Sequence, residues 1–121
     1  ANLLKAGDRV DIRFDYAHTG TSSQFAIDVR WGGTSLLART AAAAETAVSG
    51  RADAGVHASG AQWSTQSWGT SESFAVAAGD AGDSVAQALT VDFLGRILAA
   101  GADIVTLKNF TVLRYPAQQN P

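Results

Sequence analysis

The sequence predicts an all-β protein: a single antiparallel jelly-roll sandwich of about eight strands that spans residues 1–121. Three observations lead to this fold class. Apolar and polar residues alternate in several short segments, glycine-rich turns separate these segments at intervals of roughly 10–15 residues, and no long helical period appears. Residues 116–121 form a polar C-terminal tail, because Pro116 stops the last strand.

Eight segments carry a strand pattern. They are residues 10–16, 25–31, 36–40, 49–58, 62–68, 71–77, 87–94 and 104–115. The first two alternate apolar side chains with charged or small ones, which is the period of a half-buried strand. Gly32-Gly33 follows the second segment and suits a tight turn, so the third segment is the returning strand of a hairpin. The alanine-rich run 41–47 is short and lies between strand signals, so we expect a connection or a weak strand there.

The later segments are bounded by turn residues. The fourth places glycine, alanine and valine on one side, which lets a facing sheet approach closely, and Ser59-Gly60 ends it. Gly69-Thr70 ends the fifth. Residues 78–84 are predicted to form a loop, and residues 95–103 a connection with some apolar content.

The last segment is the longest and is apolar on both of its sides. Val105 and Leu107 share one parity, Phe110 and Val112 share the other, and Asn109 lies at the switch. A β-bulge there would bring all four to one face. The alternative, which we prefer, is a strand whose second face is covered by a neighbouring subunit. The predicted oligomer interface comprises Phe110, Val112, Leu113 and Tyr115.

Composition excludes several classes of function. The chain has no cysteine, which excludes a disulfide scaffold, a thiolate zinc site and a cysteine nucleophile. The net charge is −2 and the nine basic residues form no cluster, so nucleic acid is not an expected partner. No apolar window approaches the roughly 18 residues of a membrane span, so membrane insertion is not expected. Since methionine is absent, either the initiator was removed before Ala1 or the sequence is a fragment of a longer chain.

Three groups of side chains could carry chemistry, and each has a plainer interpretation. Asp11, Arg13 and Asp15 line one strand face, on which residues two apart lie about 6.6–7 Å from each other. Carboxylates at such a separation are in the range of an inverting glycosidase pair, so one interpretation assigns acid–base work to Asp11 and Asp15. Arg13 lies between them, however, and a cation favours the ionised carboxylate, whereas a general acid must hold its proton. We therefore expect a solvated face of alternating charge.

The other two groups are the histidines and the acidic loop. His18 and His57 have no activated serine in a G-x-S-x-G elbow, so ordinary hydrogen-bonding roles are expected. Asp80 and Asp83 offer oxygens but lack the spacing of a calcium loop, so an Asx-type turn is expected and no metal.

The segment QWSTQSWG contains two of the three tryptophans. Trp63 and Trp68 are five residues apart, so on an unbroken strand they face opposite sides. The side of Trp68 carries amides, a hydroxyl and an indole, which suits contact with carbohydrate or a wet protein–protein contact. The third alternative is core packing of one of the two indoles. We favour a protein chain, and a bulge within residues 64–67 would change this interpretation. The candidate ligand or partner surface comprises Gln62, Trp63, Ser64, Gln66 and Trp68.

Two stretches resemble a known family. Residues 3–37 are LLKAGDRVDIRFDYAHTGTSSQFAIDVRWGGTSLL, and residues 103–118 are DIVTLKNFTVLRYPAQ. They resemble the first and last strands of jelly-roll domains in tailed-bacteriophage virion structural proteins, with the LKAGD opening, the His-Thr-Gly loop and the RYPA ending. The match is weakest over residues 41–86.

The resemblance implies a non-enzymatic component of the phage particle surface or tail, without catalytic residues, metal or cofactor. It implies a homotrimer that contacts other virion proteins. Two settings stay open. The first is a tail fibre or spike domain that presents a module for a host-surface receptor or glycan. The alternative is a capsid decoration or head-fibre protein on the phage head.

Overall fold

The computed structural model describes residues 3–99 and 101–118. The strands are β1 (Arg9–Thr19), β2 (Phe25–Trp31), β3 (Thr34–Ala41), β4 (Ala47–His57), β5 (Gly60–Gly69), β6 (Ala75–Ala81), β7 (Val91–Ile97) and β8 (Ile104–Tyr115). Within the described ranges, no helix is long and apolar enough to cross a membrane.

Two antiparallel sheets form a sandwich. The larger sheet has the order β6-β5-β4-β1-β8, and the smaller one has the order β3-β2-β7. This confirms the predicted all-β sandwich of eight strands. The pairs β1–β8, β2–β7 and β4–β5 are those of a jelly roll, whereas β3 pairs with β2 and β4 with β1. The strand order does not establish the jelly-roll winding, which stays a prediction.

The core lies between the sheets and follows the predicted alternation. The buried apolar side chains of β1 and β2 are Val10, Ile12, Phe14, Tyr16, Phe25, Ile27, Val29 and Trp31. On β4 the inward positions are small, as predicted. A Cβ atom on Gly50 would lie 2.7 Å from Cζ of Phe14, so the aromatic ring occupies the space that a side chain would need.

Two strands begin four residues later than the sequence predicts: β6 at Ala75 rather than Ser71, and β7 at Val91 rather than Gln87. For β6 the cause is Glu45. Its carboxylate accepts a hydrogen bond from the backbone N–H group of Ser71 at 2.8 Å, so the residues before Ala75 are held in the connection instead of pairing in the sheet. The prediction of a loop over residues 78–84 is accordingly wrong in its first half, which pairs with β5.

A bulge in β8 resolves the change of parity. The ladder to β1 pairs Asn109 with Asp15 and Leu107 with Tyr16, which leaves Lys108 as the extra residue. The bulge alternative is therefore confirmed, although the extra residue precedes Asn109. The residues opposite the inward side chains of β1 are Val105, Leu107, Phe110 and Val112. Cover by a neighbouring subunit remains a prediction.

The connections collect at two ends of the sandwich. The β1–β2, β3–β4, β5–β6 and β7–β8 connections meet at the histidine end, named for His18 on β1. The β2–β3, β4–β5 and β6–β7 connections lie at the terminal end, where Asp8 binds the backbone of Ala117. Residues 18–23 and residues 82–84 therefore lie at opposite ends and do not form one surface.

Candidate functional site

Glu45 is a structural carboxylate. It is fully buried in the β3–β4 connection, and its oxygens accept from the backbone N–H groups of Thr70, Ser71 and Glu72 at 2.9, 2.8 and 2.7 Å. Burial alone would raise the pKa of Glu45, but hydrogen bonds from Thr70 and Ser71 outweigh it and hold that pKa well below its ordinary value. Glu45 therefore fastens the β3–β4 connection to the β5–β6 connection.

His18 and Asp103 form a second buried cluster at the same end. The His18 ring lies 2.9 Å from the Glu45 carbonyl through Nδ1 and 2.9 Å from Asp103 Oδ2 through Nε2. The Ser22 hydroxyl donates to Asp103 rather than to His18, at 2.9 Å. A serine nucleophile must face its histidine base, so this is not a catalytic triad. The expected hydrogen-bonding role of His18 fits this geometry.

The Asp103 carboxylate likewise accepts hydrogen bonds that hold loops in place. Burial would raise the pKa of Asp103, but hydrogen bonds from Ser22, Ser23 and His18 outweigh burial and lower it. Both Asp103 and Glu45 are thus ionised, hydrogen-bonded anchors of loops, and neither has the raised pKa of a general acid.

Two aspartates perform the same task at the terminal end. Asp8 accepts from Arg114 Nε and from the Ala117 N–H, both at 2.9 Å, and the Arg114 contact is the main cause of its lowered pKa. Asp83 accepts from the Gly33 N–H at 2.7 Å, so it fastens the β2–β3 turn. Across the described residues there is no group of three or more potential metal ligands.

The outer faces of β1 and β4 carry the predicted alternating charges. Asp11 accepts from Arg13 at 3.3 Å, and Asp15 accepts from the Ser49 hydroxyl at 2.5 Å. Each carboxylate thus has its own partner, although Asp11 Oδ1 is buried without one among the described residues. This arrangement gives no support to a glycosidase pair.

The structure divides the five residues of the QWSTQSWG surface into two groups. β5 is regular between Ser64 and Ser67, so the parity argument holds. Gln62, Ser64, Gln66 and Trp68 share the outer face of the larger sheet. Trp63 lies opposite buried Ala54, and its ring packs over Gly79, so it belongs to the inner face. Core packing is therefore the role of Trp63 alone.

An aromatic patch, consisting of Trp68, Phe74 and Val76, extends the outer surface. The rings of Trp68 and Phe74 stack with centroids 6.2 Å apart and an interplanar angle of 22°. The three residues are 41%, 61% and 67% exposed. Sequence reasoning missed Phe74 and Val76, because it began β6 four residues too early. A large aromatic residue before an alanine-rich edge strand was the available signal.

The predicted oligomer interface lies on the opposite edge of the larger sheet. Phe110 and Val112 are on the inner face of β8, whereas Leu113 and Tyr115 are on its outer face. All four are exposed. Phe110 is 58% exposed, although its ring packs against that of Phe93 on β7 with the ring centroids 5.1 Å apart. The smaller sheet ends at β7, so it covers β8 only in part.

The described surface thus has two apolar edges, β6 with the aromatic patch and β8, and the charged strands β1 and β4 lie between them. No family model, curated protein or solved structure matches the chain. What the protein does has to be inferred from these surfaces and from the buried polar groups.

Proposed function

We propose that this chain is a non-enzymatic structural protein of a tailed-bacteriophage virion: a jelly-roll tail fibre or spike domain that binds a glycan of the host surface. The observation that carries the proposal is the aromatic patch. Its stacked indole and phenyl rings are exposed, and the same face of β5 carries Gln66 two residues from Trp68, with Ser64 and Gln62 further along the strand. Aromatic faces suit the apolar faces of sugar rings, and amides suit their hydroxyl groups.

The state of the ionisable groups supports a role without catalysis. Glu45, Asp103, Asp8 and Asp83 all accept hydrogen bonds that fasten connections, and the pKa of each is lowered. A general acid needs a raised pKa and a reachable proton. The pattern is that of a scaffold with rigid ends rather than of a reactive cleft.

The two apolar edges support a division of tasks. A homotrimer that forms through β8 leaves the aromatic patch free, since β6 and β8 are opposite edges of one sheet. The three aromatic patches of one trimer then convert weak binding at each patch into useful avidity.

A glycan array with the purified protein tests the proposal. We expect binding to at least one bacterial surface glycan, and a loss of tenfold or more in Trp68→Ala and in Phe74→Ala. Leu94→Ala is the matched control, because Leu94 is an exposed apolar residue of the other sheet. Absence of glycan binding, together with binding to stripped phage heads, would contradict the tail proposal and place the chain on the capsid.

A further inference from the structure

The buried ring of His18 connects three loops at the histidine end. Its side chain has no exposed surface. Nδ1 lies 2.9 Å from the backbone carbonyl of Glu45 in the β3–β4 connection, and Nε2 lies 2.9 Å from Oδ2 of Asp103 in the β7–β8 connection. Asp103 in turn accepts from the backbone N–H groups of Ser22 and Ser23 in the β1–β2 connection, at 3.0 and 2.9 Å. The positions of three connections therefore depend on the two nitrogens of one ring.

Both ring nitrogens face groups that only accept hydrogen bonds. A backbone carbonyl has no proton to donate, and an ionised carboxylate has none either. Asp103 is ionised, because burial would raise its pKa but hydrogen bonds from Ser22, Ser23 and His18 lower it. A neutral imidazole has one N–H group, so its other nitrogen would direct a lone pair at an oxygen 2.9 Å away. The imidazolium, with a proton on each nitrogen, satisfies both contacts.

The groups around the His18 ring also favour the cation. The β7–β8 connection contributes the Asp103 carboxylate, which is 2% exposed and carries the opposite charge. The β3–β4 connection contributes Glu45, a second buried carboxylate at this end. β2 contributes the ring of Phe25, with centroids 4.4 Å apart and an interplanar angle of 32°, and a cation within about 6 Å of an aromatic centroid is attracted to the π face. On β8 the residue opposite His18 is the uncharged Val105.

We propose that His18 is a buried imidazolium paired with Asp103, and that loss of its second proton above neutral pH loosens the histidine end. The neutral ring donates one hydrogen bond, so it holds either the Glu45 carbonyl or Asp103 but not both. The β1–β2 and β7–β8 connections, which Asp103 joins, then separate from the β3–β4 connection. This device is independent of the aromatic patch.

The direction of the pH effect follows from proton linkage. A histidine in an unfolded chain loses its proton near about pH 6.5. The folded protein keeps the second proton of His18 to higher pH, so above that pH the folded state binds one proton more than the unfolded state. The stabilising contribution is therefore fully present below about pH 6.5, and the unfolding equilibrium constant rises by up to about tenfold for each pH unit above it.

Long-range ¹H–¹⁵N NMR spectra of the histidine rings test the protonation state. At pH 7.5 we expect both nitrogens of His18 to carry a proton. His57 is the internal reference and should have one bare nitrogen, because it is exposed and its ring makes one hydrogen bond, with the Ser59 hydroxyl. Asp103→Asn offers Nε2 a donor as well as an acceptor, so His18 should then keep one ring proton.

Urea denaturation from pH 6 to pH 9 tests the loosening. The unfolding equilibrium constant should rise more steeply in the wild type than in His18→Gln, by up to about tenfold per pH unit. His57→Gln is the matched control and should keep the slope of the wild type. The spectra of the wild type decide the matter alone if His18→Gln does not fold. A bare ring nitrogen on His18 at pH 7.5, or equal pH slopes in the wild type and His18→Gln, would overturn the proposal.

Discussion

Replacement of Glu45 by glutamine should destabilise the protein strongly. The carboxylate accepts from backbone N–H groups and hydroxyls of Thr70 and Ser71 and from the N–H of Glu72. The amide of glutamine keeps one acceptor oxygen, but its NH₂ group then faces donors. Breaking a buried charged network by removing one partner costs about 3–5 kcal/mol. Since small domains have about 5–15 kcal/mol in total, most molecules should still fold at 25 °C.

Urea denaturation and thermal unfolding measure this effect. At roughly 3–5 °C per kcal/mol for a domain of this size, the melting temperature should fall by roughly 10–25 °C. Asp80→Asn is the control, because Asp80 is exposed on β6, and it should change stability by less than about 0.5 kcal/mol. A loss below about 1 kcal/mol in Glu45→Gln would refute the view that this carboxylate holds the histidine end together.

The pH dependence gives an independent check of the same residue. The pKa of Glu45 is lowered on folding, so its stabilising contribution is fully present above the unfolded pKa of about 4.3. That contribution is lost as the pH falls from there towards the lower folded pKa. Glu45→Gln should therefore show a smaller loss of stability between neutral pH and pH 3 than the wild-type protein does.

Three further changes have defined outcomes. Gly50→Ala should lower the free energy of unfolding in urea by about 1–3 kcal/mol, because the new methyl group meets the Phe14 ring. Gly82→Ala is the control and should be nearly neutral, since the space around Gly82 is open. Equal effects of the two changes would contradict the close packing of β4. His18→Gln should cost about 1–3 kcal/mol, since it disturbs a buried hydrogen bond to the Asp103 carboxylate, and an unchanged melting temperature would refute that role. If the proposed homotrimer forms through β8, Phe110→Ser should shift it towards monomer in sedimentation velocity, and an unchanged distribution would contradict that interface.

The sequence allowed the sheets to be predicted wherever side chains alternate. β1 and β2 place their apolar residues inward as expected, because a two-residue period is a local property of the backbone. The opposite orientations of Trp63 and Trp68 follow from the same rule. The bulge in β8 was one of two alternatives, since parity alone does not distinguish an extra residue from a strand that is covered on both sides.

The remaining features depend on contacts between distant parts of the chain. Glu45 lies in an alanine-rich connection and binds residues 25 to 27 positions further on, which no local pattern indicates. The same contact shifts the start of β6 to Ala75, and this later start concealed the stacking of the Phe74 ring on Trp68. The Trp31 indole Nε1 is buried without a partner among the described residues. This is likewise invisible in the sequence, where Trp31 is simply the last apolar residue of β2.

Hydrogen–deuterium exchange of the assembled protein tests the division of tasks between the two edges most directly. If the proposed homotrimer forms through β8, amides of β8 should be protected at concentrations where it assembles and lose that protection on dilution. Amides at the edge of β6 should stay open to exchange until the glycan ligand is added. Protection of β6 by assembly, with β8 exchanging freely at all concentrations, would contradict this division of tasks.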